Sequence, residues 1–250
     1  MTSKQVVLSV MLSLMASLCG CTWNGGDTAT LVSPSKGRQV WAVAPLRNES
    51  GSMHADGSRL ADHLAQQLEG VKGIDVLPVN RVLAAMDSLH MSDVTTKADA
   101  AKLRKTLGAD GLVIGTISAY HPYDPPKLGM AIELYTGSSK PDHPRVNPRQ
   151  LTQAATEGDV TDRHKHRRSK QPVAAVSGFY DAASPAVRSG LREYAHHRGV
   201  TTDSPENWRL YRISMDLNSE YVSHAMVAKL IKAEAKRKQV ASAHAGKTAR

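Results

Sequence analysis

Apolar and polar positions divide the chain into three regimes. Residues 6–18 (VVLSVMLSLMASL) are apolar apart from their serines, and Lys4 stands just before them. This run is too short for a stable membrane-spanning helix, which needs ~20 residues, and it fits the apolar region of a secretory leader. Residues 21–38 are polar and rich in Gly, Ser and Thr, and read as a flexible tether. From residue 39 onward, short β-rich runs alternate with helical stripes. Residues 39–46 (QVWAVAPL) predict a buried strand, closed by Asn48-Glu-Ser-Gly51. Leu60, Leu64 and Leu68 recur at i, i+4 spacing and predict an amphipathic helix over 56–69, ended by Gly70. Residues 74–79 form a second strand whose Pro78 marks a strand end or a sheet edge. Asn80 is set to cap a helix carrying Val82, Leu83, Met86 and Leu89. Thr96 and Asp99 form a capping-box pattern before a helix with Ala100, Leu103 and Leu107, which stops at Gly108.

Residues 111–120 (GLVIGTISAY) are the strongest strand in the chain. The proline-rich link 121–126 leads into a further strand over 127–135, and so short a link favours an antiparallel hairpin. The pattern then vanishes over 137–171, which holds Pro141, Pro144, Pro148 and a basic run and reads as a long disordered insertion. A strand resumes over 172–180. Ser184-Pro185 opens a helix with Val187, Leu191, Tyr194 and Ala195. A polar loop and a short Trp208, Tyr211, Ile213 cluster precede a long helix opened by Ser214 or Asp216. The apolar stripe fades near Lys232, so residues 236–250 read as a frayed basic tail. The fold class expected is α/β: a single mixed-sheet domain with flanking helices over 39–235, interrupted by the basic insertion and closed by a C-terminal helix.

Composition narrows the function classes. The 250 residues are 41% hydrophobic, enough for a core and too little for a polytopic membrane protein. The two cysteines, Cys19 and Cys21, exclude a disulfide scaffold and a multi-cysteine zinc or iron–sulfur site. Leu18-Cys19-Gly20-Cys21 resembles a bacterial lipobox, with Cys19 where Ala, Ser or Thr is usual. The resemblance implies cleavage after Gly20 and lipid attachment at Cys21, which leaves no free thiol in the mature chain. Thr22 in place of Asp favours the outer membrane in that setting.

The formal net charge is +9, and much of it is concentrated. Arg163, Lys165, Arg167, Arg168 and Lys170 lie within the insertion and are candidates to contact a polyanion, an anionic polymer or lipid, by counterion release. The insertion holds no aromatic residue, which argues against sequence-specific nucleic-acid readout.

Other motifs are weak. His164 and His166 sit among cations that repel a metal. His196-His197 ends a helix, where capping explains it. Ser33-Pro-Ser-Lys36 lies in the tether. Asp62 and His63 are neighbours on a helix and face different directions. Gly246-Lys-Thr248 lacks the first glycine and the following helix of a phosphate loop. No catalytic set, metal site or cofactor site emerges.

The stretch 39–135 resembles the lipoprotein domain shared by CsgG, LpoB and the N-terminal domain of TolB. Pro45-Leu-Arg-Asn-Glu-Ser-Gly51 after the first strand and Gly108-Ala-Asp110 before the central one carry the likeness. The later stretches around Tyr180-Asp181 and Ser214-Met-Asp-Leu217 are similar to Planctomycetes-type envelope lipoproteins with this domain. The resemblance implies a mixed sheet without an enzymatic site. Its members differ in role: a secretion pore, a synthase activator and a peptide-binding domain, so fold does not decide function. A pore needs lipid-facing strands of ~9–11 alternating residues, and the polar insertion supplies none. The reading is therefore a non-catalytic lipoprotein of the cell envelope, anchored through Cys21 to the outer membrane on its periplasmic side. It would dock on an envelope protein, through the 122–126 loop or the insertion. Two alternatives stay open: a CsgG-like subunit of a homo-oligomeric secretion ring, and a polyanion-binding envelope protein.

Overall fold

Trp41 pairs in parallel register with Val76 on one side and Gly111 on the other, and this places the first strand inside the sheet. The computed structural model describes residues 31–35, 37–137, 172–200 and 207–248, with side chains over 208–240 in the last stretch. The elements are β1 (Gln39–Val43), β2 (Arg47–Asn48), α1 (Gly57–Glu69), β3 (Ile74–Val76), α2 (Val79–Ser88), α3 (Lys97–Leu107), β4 (Gly111–His121), β5 (Lys127–Thr136), β6 (Ala174–Asp181), α4 (Pro185–His197), α5 (Asn207–Ile213) and α6 (Met215–Thr248). The strand order is β3-β1-β4-β5-β6, with β2 pairing β4. β1 is parallel to β3 and β4, whereas β4, β5 and β6 form an antiparallel meander. The fold is thus α/β with a single mixed sheet and flanking helices. The chain from Leu31 onward makes one compact unit.

Strand alternation sends side chains to two cores. On one face Val43, Val113, Met130, Ile132 and Leu134 meet Leu60, Leu64 and Leu68 of α1 and Val222, Met226 and Leu230 of α6. On the other, Ala42, Ala44, Leu112 and Ile114 meet Val82 and Met86 of α2 and Leu103 and Leu107 of α3. Two local signals act as their chemistry requires. Thr96 and Asp99 form the reciprocal capping box, and Gly108 closes α3 in the left-handed region at φ 65°. Gly57 meets a steric demand instead: a Cβ there would lie 1.8 Å from the Leu46 carbonyl oxygen.

Four expectations change. β1 stops at Val43, and the chain resumes pairing only at Arg47–Asn48. Pro78, not Asn80, stands at the cap of α2, because its fixed φ leads directly into Val79. Leu31–Ser35, expected in the flexible tether, are joined to the fold. The Lys72 amide donates to the Leu31 carbonyl at 2.8 Å, the Ser33 amide donates to the Lys72 carbonyl at 2.9 Å, and Ser33 is buried. Finally, α6 continues through residues 236–248, expected as a frayed tail. Lys, Arg, Gln and Ala make up most of that stretch, and Glu234 bonds Arg237 in a two-pronged pair at i, i+3.

These contacts give the sheet two distinguishable ends. The chain enters beside Lys72 and Gly73, at the start of β1. β1 and β4 run away from that end, towards the 49–56 and 121–126 loops and the first turn of α1. α6 runs the opposite way. Its first turn meets Arg59 and His63 of α1, and Lys238 donates to the Ser35 hydroxyl.

Candidate functional site

At the end opposite chain entry, α1, α6 and the close of β4 enclose a cleft of about 230 Å³. Asp56 begins it, because its carboxylate caps α1 by accepting from the Ser58 and Arg59 amides at 2.8 and 3.2 Å. One turn of helix then places Arg59 and His63 on the same edge of α1, at i, i+4 spacing. Asp216 faces them from the first turn of α6, where a carboxylate also suits the helix dipole. Its Oδ1 receives Arg59 Nη2 at 2.8 Å and His63 Nε2 at 3.1 Å. His54 and Tyr120 complete the polar rim, over Leu60 and Met215. Burial pushes the Tyr120 hydroxyl above its ordinary pKa, and the Arg59 charge opposes that shift, so the phenol stays protonated at neutral pH.

The groups in this cleft are largely spent on one another. Asp56 holds the helix start. Asp216 is engaged by both Arg59 and His63. Ser219, a hydroxyl at the same wall, donates to the Met215 carbonyl at 2.7 Å. The arrangement can fasten two helices and present a polar rim to a visiting surface.

The sequence candidates distribute unevenly. Cys21, Arg163, Lys165, Arg167, Arg168 and Lys170 lie outside the described residues, as do His164, His166 and Lys36. His196 and His197 occupy the last turn of α4, where the Arg198 backbone amide forms the cap and His197 Nε2 lies 3.8 Å from Glu193. Asp62 is exposed, and His63 turns from it to Asp216, 153 positions away. Gly246-Lys-Thr248 is helical, so it forms no loop around a phosphate. Sequence reading missed the cleft. Its only advance signal was Asp216 as an opening residue of α6; nothing local links that carboxylate to Arg59 and His63.

A second polar pair is buried in the sheet. Tyr135 donates to Glu133 Oε2 at 2.6 Å, and Glu133 is 6% exposed. Burial drives the Glu133 carboxyl above its ordinary pKa, against the pull of the Tyr135 hydrogen bond and the Lys97 charge. Among the described residues no cluster of three or more potential metal ligands occurs, and no helix is long and apolar enough to cross a membrane.

No protein-family model matches the chain, and no curated protein sequence does. Solved structures do align. The chain is similar to the LpoB C-terminal domain from Salmonella enterica at 14% identity, over 45% of this chain and 85% of that one, with a TM-score of 0.35. It is similar to a lipoprotein of Neisseria meningitidis at 14% identity, over 65% of this chain and 99% of that one, with a TM-score of 0.36. A hypothetical protein of Chlamydia trachomatis aligns at 11% identity, over 79% of this chain and 98% of that one, with a TM-score of 0.39. Likeness at this level establishes no shared activity.

Proposed function

We propose that this protein is a non-catalytic lipoprotein of the cell envelope, held to the outer membrane through Cys21, whose folded domain docks on an envelope partner. The observation that carries this reading is the lipobox-like Leu18-Cys19-Gly20-Cys21 at the end of an apolar leader, directly ahead of one α/β domain. The site geometry supports the non-catalytic part, because the carboxylates and the serine of the cleft are committed to structural bonds.

The end of the folded domain opposite Leu31, where the chain enters, is the docking candidate. Met53, 96% exposed, and Tyr123, 66% exposed, stand on the two loops beside the cleft. Single exposed apolar residues are ordinary on a surface; here Met53 adjoins the cleft residue His54 in sequence, and Tyr123 follows the cleft residue Tyr120 by three positions.

Two experiments test the reading. Cys21→Ala is expected to abolish metabolic labelling with a fatty acid and to release the protein from the membrane pellet. Retention of the label would remove the anchor. In-cell cross-linking of the acylated protein, with mass spectrometry of the products, is expected to recover one dominant foreign protein, and substitution of Met53 and Tyr123 by Ser to weaken that product. A ladder of self-cross-links closing at one size would replace the docking role with a secretion ring.

A further inference from the structure

We infer that the C-terminal half of α6 is a basic face turned towards the anionic headgroups of the membrane that holds the chain; this rests on the Cys21 anchor proposed above. The charge on α6 is split along its length. Residues 215–227 hold Asp216 and Glu220 and no Lys or Arg. Residues 228–248 hold Lys229, Lys232, Lys236, Arg237, Lys238 and Lys247 against Glu234 alone. Glu234 engages Arg237 and Lys238, whereas the exposed Lys232 and Lys236 have no acidic partner among the described residues.

The helix dipole does not account for this split. It favours cations within the last turn, and Lys229 to Lys238 stand ten or more residues before Thr248. Their place in the fold does account for it. Lys238 bonds Ser35, so the basic half of α6 lies at the end where the chain enters. Leu31 lies ten positions after Cys21, a span of at most ~35 Å when extended. α6 continues for ten residues past Lys238, about 15 Å of helix. The basic half therefore lies at the end of the domain from which the tether to Cys21 leaves, where short-range attraction to anionic lipid would operate within a screening length of ~8–10 Å. Acidic Asp216 and Glu220 lie towards the opposite end. One anchor point leaves a tethered domain free to tumble; a second, electrostatic contact would hold the cleft end outward.

The test uses the mature acylated protein, whose Cys21 thiol is consumed. A single cysteine is introduced at Val240, half-exposed on α6, and in a separate protein at Met53. Each carries a fluorophore, and the protein is reconstituted in vesicles of phosphatidylcholine, alone or mixed equally with phosphatidylglycerol, with a quencher on the headgroups. Quenching at position 240 is expected in the mixed vesicles. It should be lost near ~1 M salt, where the screening length falls to ~3 Å. The combined Lys232→Gln, Lys236→Gln and Lys238→Gln variant should also lose it, since each basic residue near such a surface contributes about fivefold in affinity. Position 53 should stay unquenched. Equal quenching at both positions, or none at 240 while mass spectrometry finds acyl chains on Cys21, would overturn the inference. Absence of acyl chains would instead defeat the anchor reading. The unacylated chain from Cys21 onward, sedimented with the same vesicles, then tests the helix alone: binding only to the mixed vesicles, lost in the triple variant, supports the basic face, and no binding overturns it.

Discussion

His63 on α1 hydrogen-bonds Asp216 on α6 at 3.1 Å, across 153 positions of sequence, and Arg59 joins the same carboxylate oxygen from one turn earlier. The three side chains fasten the two longest-packed helices of one sheet face at the end where the cleft opens. Asp216→Ala is expected to lose both bonds and the favourable charge at the start of α6. His63 is the more buried partner, at 13% side-chain exposure, so the cost should be about 1–2 kcal/mol. That corresponds to a fall in Tm of roughly 2–8 °C. Asp62→Ala, beside His63 but exposed, should stay within about 0.5 kcal/mol of the parent. Thermal unfolding of the two variants side by side decides whether the contact or mere adjacency matters.

Gly57 and Gly70 bracket α1 and should respond oppositely to alanine. At Gly57 the added Cβ would sit 1.8 Å from the Leu46 carbonyl oxygen, a rigid backbone atom, so the link between β1 and α1 has to move. Gly57→Ala should cost about 3 kcal/mol or more. Gly70 has φ −72°, and its Cβ would meet the Gln67 carbonyl at an ordinary 3.4 Å. Gly70→Ala should therefore be neutral or stabilising by about 0.4–1 kcal/mol, through the unfolded chain. Urea midpoints would show the contrast.

The helical stripes also contain positions of unequal weight. Leu64 is fully buried between α1 and the sheet, whereas Leu83 on α2 is 41% exposed. Leu64→Ala is expected to cost about 2–5 kcal/mol and Leu83→Ala less than about 1 kcal/mol. Similar losses at both sites would mean that Leu83 is covered in solution.

Glu133 should make stability depend on pH with a defined sign. Its folded carboxyl holds a proton to higher pH than the unfolded one, because burial disfavours its charge. Between the two values only the unfolded chain releases that proton. Stability thus falls as pH rises through this window and levels off above the folded value. Glu133→Gln keeps an acceptor for Tyr135 and removes the titration. Its Tm should exceed the parent's by a few degrees at neutral pH and approach it in acid. A gap unchanged with pH would exclude this titration as its source.

Much of the fold was legible locally. The i, i+4 leucines of α1, the Thr96–Asp99 box, Gly108 and the β-rich 111–120 run each act over a few residues, so their chemistry is complete within the sequence. The short 121–126 link similarly required an antiparallel return, and β4 pairs β5 antiparallel throughout. The fading stripe near Lys232 was misleading. Helix persistence there depends on good formers and on the Glu234–Arg237 pair rather than on an apolar face.

The sequence by itself determined the α/β class and most of the element order, because periodicity, capping and turn chemistry are properties of neighbouring residues. Only the tertiary structure decided that Asp216 belongs to Arg59 and His63 and that Ser35 receives Lys238. It also decided that the acidic and basic halves of α6 lie towards opposite ends of the sheet. Those are meetings of residues more than 150 positions apart. Their partners are chosen by how the helices pack across the sheet, which no local pattern encodes.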